Sequence, residues 1–315
     1  VPTTKEEPVT PTEAGARTSA EGVAAAPAAG PAAATVRPLG PDSLLWRVGF
    51  SRTSLLLAGR ALLLQVAHPT IGAGVRDFSE FRTDPWGRLD RTVTSLLLQL
   101  FGGEGAAAEA RRLREMHRSI TGTGFDGSRY RALEPEAWAW VHIVNAETTL
   151  LFHDRMGRDL ELSERERFWS EWRQVGLLLG IAPRHLPADL DALGALVDRT
   201  VATTLGDNET VRTLLETLTL HDVPPPSPAF PGPVWDALRP LGRSLLLDAT
   251  VGTLPPALRD RLGLAWTDGQ QRRLHRTATL VRTGAAALPD RVLHYPAAYR
   301  AVQAARRAGH SGVRR

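Results

Sequence analysis

The sequence predicts an all-α protein built as a single large helical bundle-like domain. Apolar residues recur at helical spacing along almost all of residues 41–300. Alternating β-branched runs are few, and helix start and stop residues stand at the breaks between the apolar segments. Hydrophobic residues make up 43% of the 315-residue chain, enough to fill a core.

The elements follow in order. Residues 1–40 are rich in Ala, Pro, Thr, Glu and Gly, and "AAAPAAGPAAATVRP" has too little apolar side-chain surface to order itself, so a disordered tail is expected. Helices are predicted over residues 54–67, 85–101, 104–120, 135–156, 164–179, 187–205, 208–219, 233–253 and 268–285. Asp84-Pro85 offers an N-cap followed by proline at the first helical position, and Glu134-Pro135 places proline at a second start. Ser163-x-x-Glu166 reads as a capping box, while Gly102-Gly103, Gly122 and Gly157 read as stops. The Pro-rich "HDVPPPSPAFPGP" stretch, His221–Pro233, is expected to cross the surface as a stiff connection. Residues 301–315 are expected to be a basic C-terminal tail.

Composition excludes several chemistries. The net charge is +4 and the sequence pI about 10.2. Lys5 is the only lysine among 38 basic residues, so arginine carries nearly all the positive charge. Schiff-base catalysis is therefore excluded from the folded part. The absence of cysteine removes disulfides, thiolate nucleophiles, iron–sulfur clusters and thiolate-ligated haem, leaving His, Tyr or Met as possible haem ligands. No H-E-x-x-H, Glu-x-x-His, P-loop or G-x-S-x-G pattern occurs, and Gly72 and Gly74 do not follow a predicted strand. The arginines alternate with acidic residues instead of forming one basic stripe, which argues against nucleic acid as partner. The most apolar run, "LLLAGRALLLQVA", is interrupted by Arg60 and too short to span a bilayer. No secretion signal is evident, and the expected compartment is the cytoplasm.

Three predicted helices carry the candidate chemistry. In the one that begins at Asp84-Pro85, Arg88, Arg91, Thr92 and Ser95 share a face, a cationic stripe that must meet water or a polar ligand. In the next, Ala106, Ala110, Leu113, His117 and Ile120 form the apolar stripe, which turns His117 toward the core as a metal ligand or a hydrogen-bonded core histidine. In the third, His142, Asn145, Thr149 and His153 follow a polar seam that either lines a pocket, with His142 a cofactor contact, or joins helices through hydrogen bonds.

The succession "LLLQVAHPTIGAGVRDFSEFRTDPWGRLDRT", "MHRSITGTG" and "RYRALEPEAWAWVHIVNAETTLL", with "GTLPPALRDRLGLAW" further on, resembles the oxygenase-like family of the latex clearing protein (rubber oxygenase) and the fungal MpaB oxygenase. The resemblance runs from about Pro41 to Tyr299. It implies an all-α domain enclosing a non-covalently bound haem b, with dioxygen or peroxide and a hydrophobic small molecule as substrates. It implies that His117 is the proximal iron ligand and that Arg88, Arg91 and Thr92 form the distal motif, Arg91 and Thr92 as hydrogen-bond donors. Arg60 or Arg88 would meet the haem propionates, and His68 would transfer protons or cap a helix.

Two departures from the family pattern stand out. Arg91 replaces a lysine that can close the distal side of iron in the latex clearing protein, and an arginine cannot readily ligate metal. Phe78 stands where relatives carry a histidine, which makes the expected distal pocket more apolar. A haem-binding or sensing protein without turnover, and a helical scaffold that has lost haem, are the alternative readings.

Overall fold

The computed structural model describes residues 36–48 and 51–309; most of the expected N-terminal tail, residues 1–35, and the end of the expected C-terminal tail, residues 310–315, lie outside them. A short helix α1, Leu44–Val48, is followed by a 3₁₀ turn, Arg52–Leu57, that runs directly into α2, Ala58–Val66. Next come α3, Pro69–Phe78; α4, Pro85–Phe101; and α5, Gly105–Arg118. A small antiparallel hairpin, β1 Thr121–Thr123 and β2 Arg129–Arg131, pairs Gly122 with Tyr130. Then follow α6, Pro135–Arg155; α7, Leu162–Leu178; α8, Leu190–Thr203; α9, Glu209–Leu218; and α10, Gly232–Thr253. The chain closes with α11, Pro256–Arg261; α12, Asp268–Ala287; α13, Asp290–Leu293; and α14, Pro296–Arg307.

The fold is all-α, and each of the nine expected helices is present. The hairpin and the helices α1, α3, α11, α13 and α14 were not expected. The last of these extends helix to Arg307, into the segment expected to be a tail. His221–Pro233 lies inside the compact unit that begins at Val36.

Local chemistry sets most helix starts. Asp84 Oδ1 accepts from the Gly87 N–H at 2.9 Å ahead of α4, and Asp189 and Asn208 cap α8 and α9 in the same way. At α7 the start falls earlier than the expected capping box. The Glu161 N–H donates to Glu164 at 3.3 Å, and Arg158 grips both oxygens of Glu164 at 3.0 Å, so Ser163 lies already inside the helix. Between α4 and α5 the chain reverses at Gly103, whose φ of +53° suits a residue without Cβ.

The centre is α2 and α6. Helix α2 packs against α3, α6, α9 and α10, and α6 against α2, α7 and α8. Along α6, Ala137, Trp140, Ile143, Val144, Ala146, Leu150 and Phe152 are all buried, and so are His142, Thr148 and His153 of its polar side, which places the helix in the interior. Buried indoles find carbonyl acceptors on neighbouring helices. Trp46 donates to Leu100 O at 2.8 Å, Trp140 to Leu64 O at 2.9 Å and Trp172 to His142 O at 3.1 Å.

The turn between α2 and α3 is clamped from outside. Gly206 N donates to Ala67 O at 2.9 Å, Asn208 Nδ2 to Val66 O at 2.8 Å and Thr210 Oγ1 to Gly72 O at 2.8 Å. No single helix among the described residues is long and apolar enough to cross a membrane; only the 3₁₀–α2 segment and α3 together reach that length, bent by 107°.

Candidate active site

His117 stands on the last turn of α5, half-buried. Its Nδ1 lies 2.8 Å from the carbonyl of Leu113, one turn back. A carbonyl only accepts, so Nδ1 carries the proton and Nε2 keeps its lone pair. No described residue hydrogen-bonds to Nε2. The ring meets Trp138, at the start of α6, edge to face, with centroids 5.0 Å apart. Burial lowers the imidazole pKa, opposed by the Leu113 bond, and the positive charges of Arg88 and Arg112 lower it further. The imidazole is therefore neutral at pH 7.

Helix α4 packs against α5 and presents its polar stripe there. Arg88 Nη1 donates to Thr92 Oγ1 at 2.7 Å, and Arg88 Nε donates to Ser79 Oγ, just past the end of α3, at 3.2 Å. Among the described residues no carboxylate pairs with Arg88. Desolvation on its protein side, then repulsion from Arg91, lowers its pKa, although the side chain is exposed along one edge. Arg91, on the same stripe, turns the other way and pairs with Asp84 at 3.1 Å and Glu80 at 3.3 Å, half exposed.

One turn further along α4, Ser95 reaches α5. Its hydroxyl donates to the buried carboxylate of Glu109 at 2.5 Å, and Gln99 Nε2 approaches Ser95 Oγ at 3.3 Å. Arg112 meets both Glu109 oxygens at 2.7 Å, which is the main reason the Glu109 pKa is lowered. The sequence did not point to Glu109, Arg112 or Trp138. The available signal was the i, i+3 spacing of Glu109 and Arg112 beside the Ala106/Ala110 stripe.

The remaining candidates lie elsewhere. Arg60, 2% exposed, ties three helices together: it donates to Thr253 O at 2.8 Å and Thr148 Oγ1 at 2.7 Å, and pairs with Glu147 through both terminal nitrogens. His142 Nε2 donates to Trp172 O at 2.9 Å while the Trp172 indole donates back, and full burial pushes its pKa down to about 4. On the same seam, Asn145 Oδ1 accepts from Gln65 of α2 at 3.1 Å, and His153 Nδ1 donates to Arg158 O at 3.0 Å. The seam thus joins α6 to α7 through His142 and to α2 through Asn145, while Thr149 bonds back within α6 and His153 to the loop that follows it.

His68 occupies the N-cap position of α3, but its ring makes no capping bond. Its buried Nδ1 has no partner among the described residues, and burial lowers its pKa. The ring lines a separate cavity of about 360 Å³ with Thr70, Tyr130, Glu134 and Glu136. Among the described residues, then, the structure brings together His117, Arg88 and Thr92, and does not join Arg60 or His142 to them.

Residues 46–283 match the family model described as "ER-bound oxygenase mpaB/B'/Rubber oxygenase, catalytic domain". The chain belongs to this family. The MpaB/rubber oxygenase match takes in α2 through most of α12, and with it every residue of the α4–α5 site. An uncharacterized protein of Mycobacterium tuberculosis and one of Mycobacterium bovis are each 24% identical over 242 residues, 75% of this chain and 91% of theirs. No solved structure matches. The function class that follows from the family is that of an oxygenase enzyme.

Among the described residues no group of three His, Cys, Asp or Glu side chains is placed to hold a bare metal ion. A lone neutral imidazole, oriented by a backbone carbonyl on one nitrogen and bare on the other, suits a metal whose remaining ligands come from a macrocycle. His117 fits that requirement. Arg88, a cation without a carboxylate, fits a neighbouring anionic group.

Proposed function

We propose that this oxygenase binds haem b through His117 Nε2 and oxidises a hydrophobic small molecule with dioxygen or peroxide. The observation that carries the reading is the state of His117: neutral, fixed by Leu113, and with Nε2 unengaged among the described residues. Haem held by His117 would supply the activation of dioxygen or peroxide.

The chain's own residues do the positioning. The Leu113 carbonyl holds the proton on Nδ1 and makes His117 a stronger donor to metal. Arg88 brings an unpaired guanidinium, suited to a propionate or to developing negative charge, and Thr92 and Ser79 hold it in place. Arg91 would have to leave Asp84 and Glu80 to play that part, so Arg88 is the better candidate. Arg60 and His142 support the core beneath. Phe78 and Met116, each directly preceding a site residue, are 54% and 47% exposed, apolar surface that suits an apolar ligand.

The test is a haem titration followed by ultraviolet–visible absorption, on the parent protein and on His117→Ala. The parent should develop a Soret band that the variant loses or shifts, and reconstituted parent should consume oxygen in the presence of reductant or substrate. Equal haem content and an identical spectrum in the variant would overturn the ligand assignment. Haem binding without turnover would leave a carrier instead of an oxygenase.

A further inference from the structure

A second site lies where α10 and α12 pack together. The cavity there measures about 560 Å³, within the ~300–1,000 Å³ range of small-molecule sites. Arg239, Arg243 and Arg273 line it with Asp236, Asp248 and Ser244.

Two of the arginines are partly satisfied. Arg273 meets Asp248 with both ends of its fork, at 2.7 and 2.9 Å. Arg239 donates to Asp236 at 2.6 Å and to His221 O at 3.2 Å, and its guanidinium lies over the Trp235 ring, 6.0 Å from the centroid. Arg243 has no ion pair or hydrogen bond among the described residues, and neither does the Ser244 hydroxyl beside it.

Three guanidinium groups against two carboxylates leave one positive charge over. An exposed arginine that could reach a carboxylate usually does. One kind of ligand meets both the surplus charge and the unused Arg243 and Ser244 donors: an oxyanion with several acceptor oxygens.

We propose that this cavity binds a phosphate monoester. Its oxygens accept from the Arg243 guanidinium and from the Ser244 hydroxyl. Phosphate suits the arginine forks better than a carboxylate does, because it offers more acceptor oxygens and up to two charges. The cavity exceeds a bare anion in size, so the organic part of the ester fills the rest. The site shares no residue with the α4–α5 site and does not depend on haem.

Full-length protein is titrated with inorganic phosphate and with glycerol 3-phosphate, following the thermal midpoint and heat of binding against potassium chloride of matched ionic strength. Both probes should raise the midpoint saturably beyond the salt control, the ester binding more tightly. Arg243→Gln should weaken binding about tenfold or more, Ser244→Ala less, and Arg199→Gln, which removes a charge outside the cavity, not at all. No rise beyond the salt control, or equal affinity in Arg243→Gln, would overturn the site. An ester that binds no more tightly than phosphate would overturn the ester assignment.

Discussion

Charge neighbours decide what each polar residue of this protein can do. Arg88 and Arg91 share a helix stripe three residues apart, but Arg91 is neutralised by Asp84 and Glu80 while Arg88 has only hydroxyl partners. The positive potential of Arg88 therefore falls on His117. Replacing Arg88 with Gln should raise the His117 pKa in haem-free protein, while burial still holds it below 6.5. Proton NMR titration of the imidazole would show this, and an unchanged or lower value would contradict it. At Arg60 the same side chain serves structure. Arg60→Met strips Glu147, 23% exposed, of its bidentate partner. Breaking a fully buried pair costs about 3–5 kcal/mol, and water reaching Glu147 reduces that to about 2–3 kcal/mol, measurable by urea unfolding.

At the scale of elements, α3 links the core to the site. It leaves α2 through the clamped corner at Ala67–His68, and its far end delivers Phe78 and Ser79 beside Arg88. Close packing makes that possible: a Cβ on Gly72 would stand 2.4 Å from Val66 O and 3.0 Å from Asn208 Nδ2. Gly72→Ala should cost about 1–3 kcal/mol by overpacking and lower the thermal midpoint. A variant as stable as the parent would mean the corner can relax. The α4–α5 pair is held by Ser95–Glu109–Arg112, so Glu109→Gln should weaken the grip of Arg112. Loss of negative charge beside Arg112 should also lower the His117 pKa, readable in the same NMR titration.

At the scale of the molecule, buried histidines set the acid limit. Burial lowers the pKa of His68, His117, His142, His153 and His294, to about 4 for His142. Below about pH 6.5 the unfolded chain takes up protons that the native state refuses, so the stability present above pH 6.5 falls as pH drops toward 4. His142 alone accounts for about 3 kcal/mol over that window. His142→Gln, which keeps a donor for Trp172 O, should flatten this part of the curve in denaturant titrations. An equally steep curve would assign the acid limit to other groups.

The sequence by itself determined the all-α class, nine helices and the stripe and helix that carry Arg88, Thr92 and His117, because apolar periodicity, caps and glycine stops act over neighbouring residues. Only the tertiary structure decided the rest. Helix α3 hid behind Pro69, Gly72 and Gly74, and at Gly72 the missing Cβ lets it approach α2 and the start of α9 closely. That Arg60 and His142 are core ties follows from partners 87 and 30 residues away. Those are pairings between distant segments, which burial and hydrogen-bond satisfaction choose only when the helices pack.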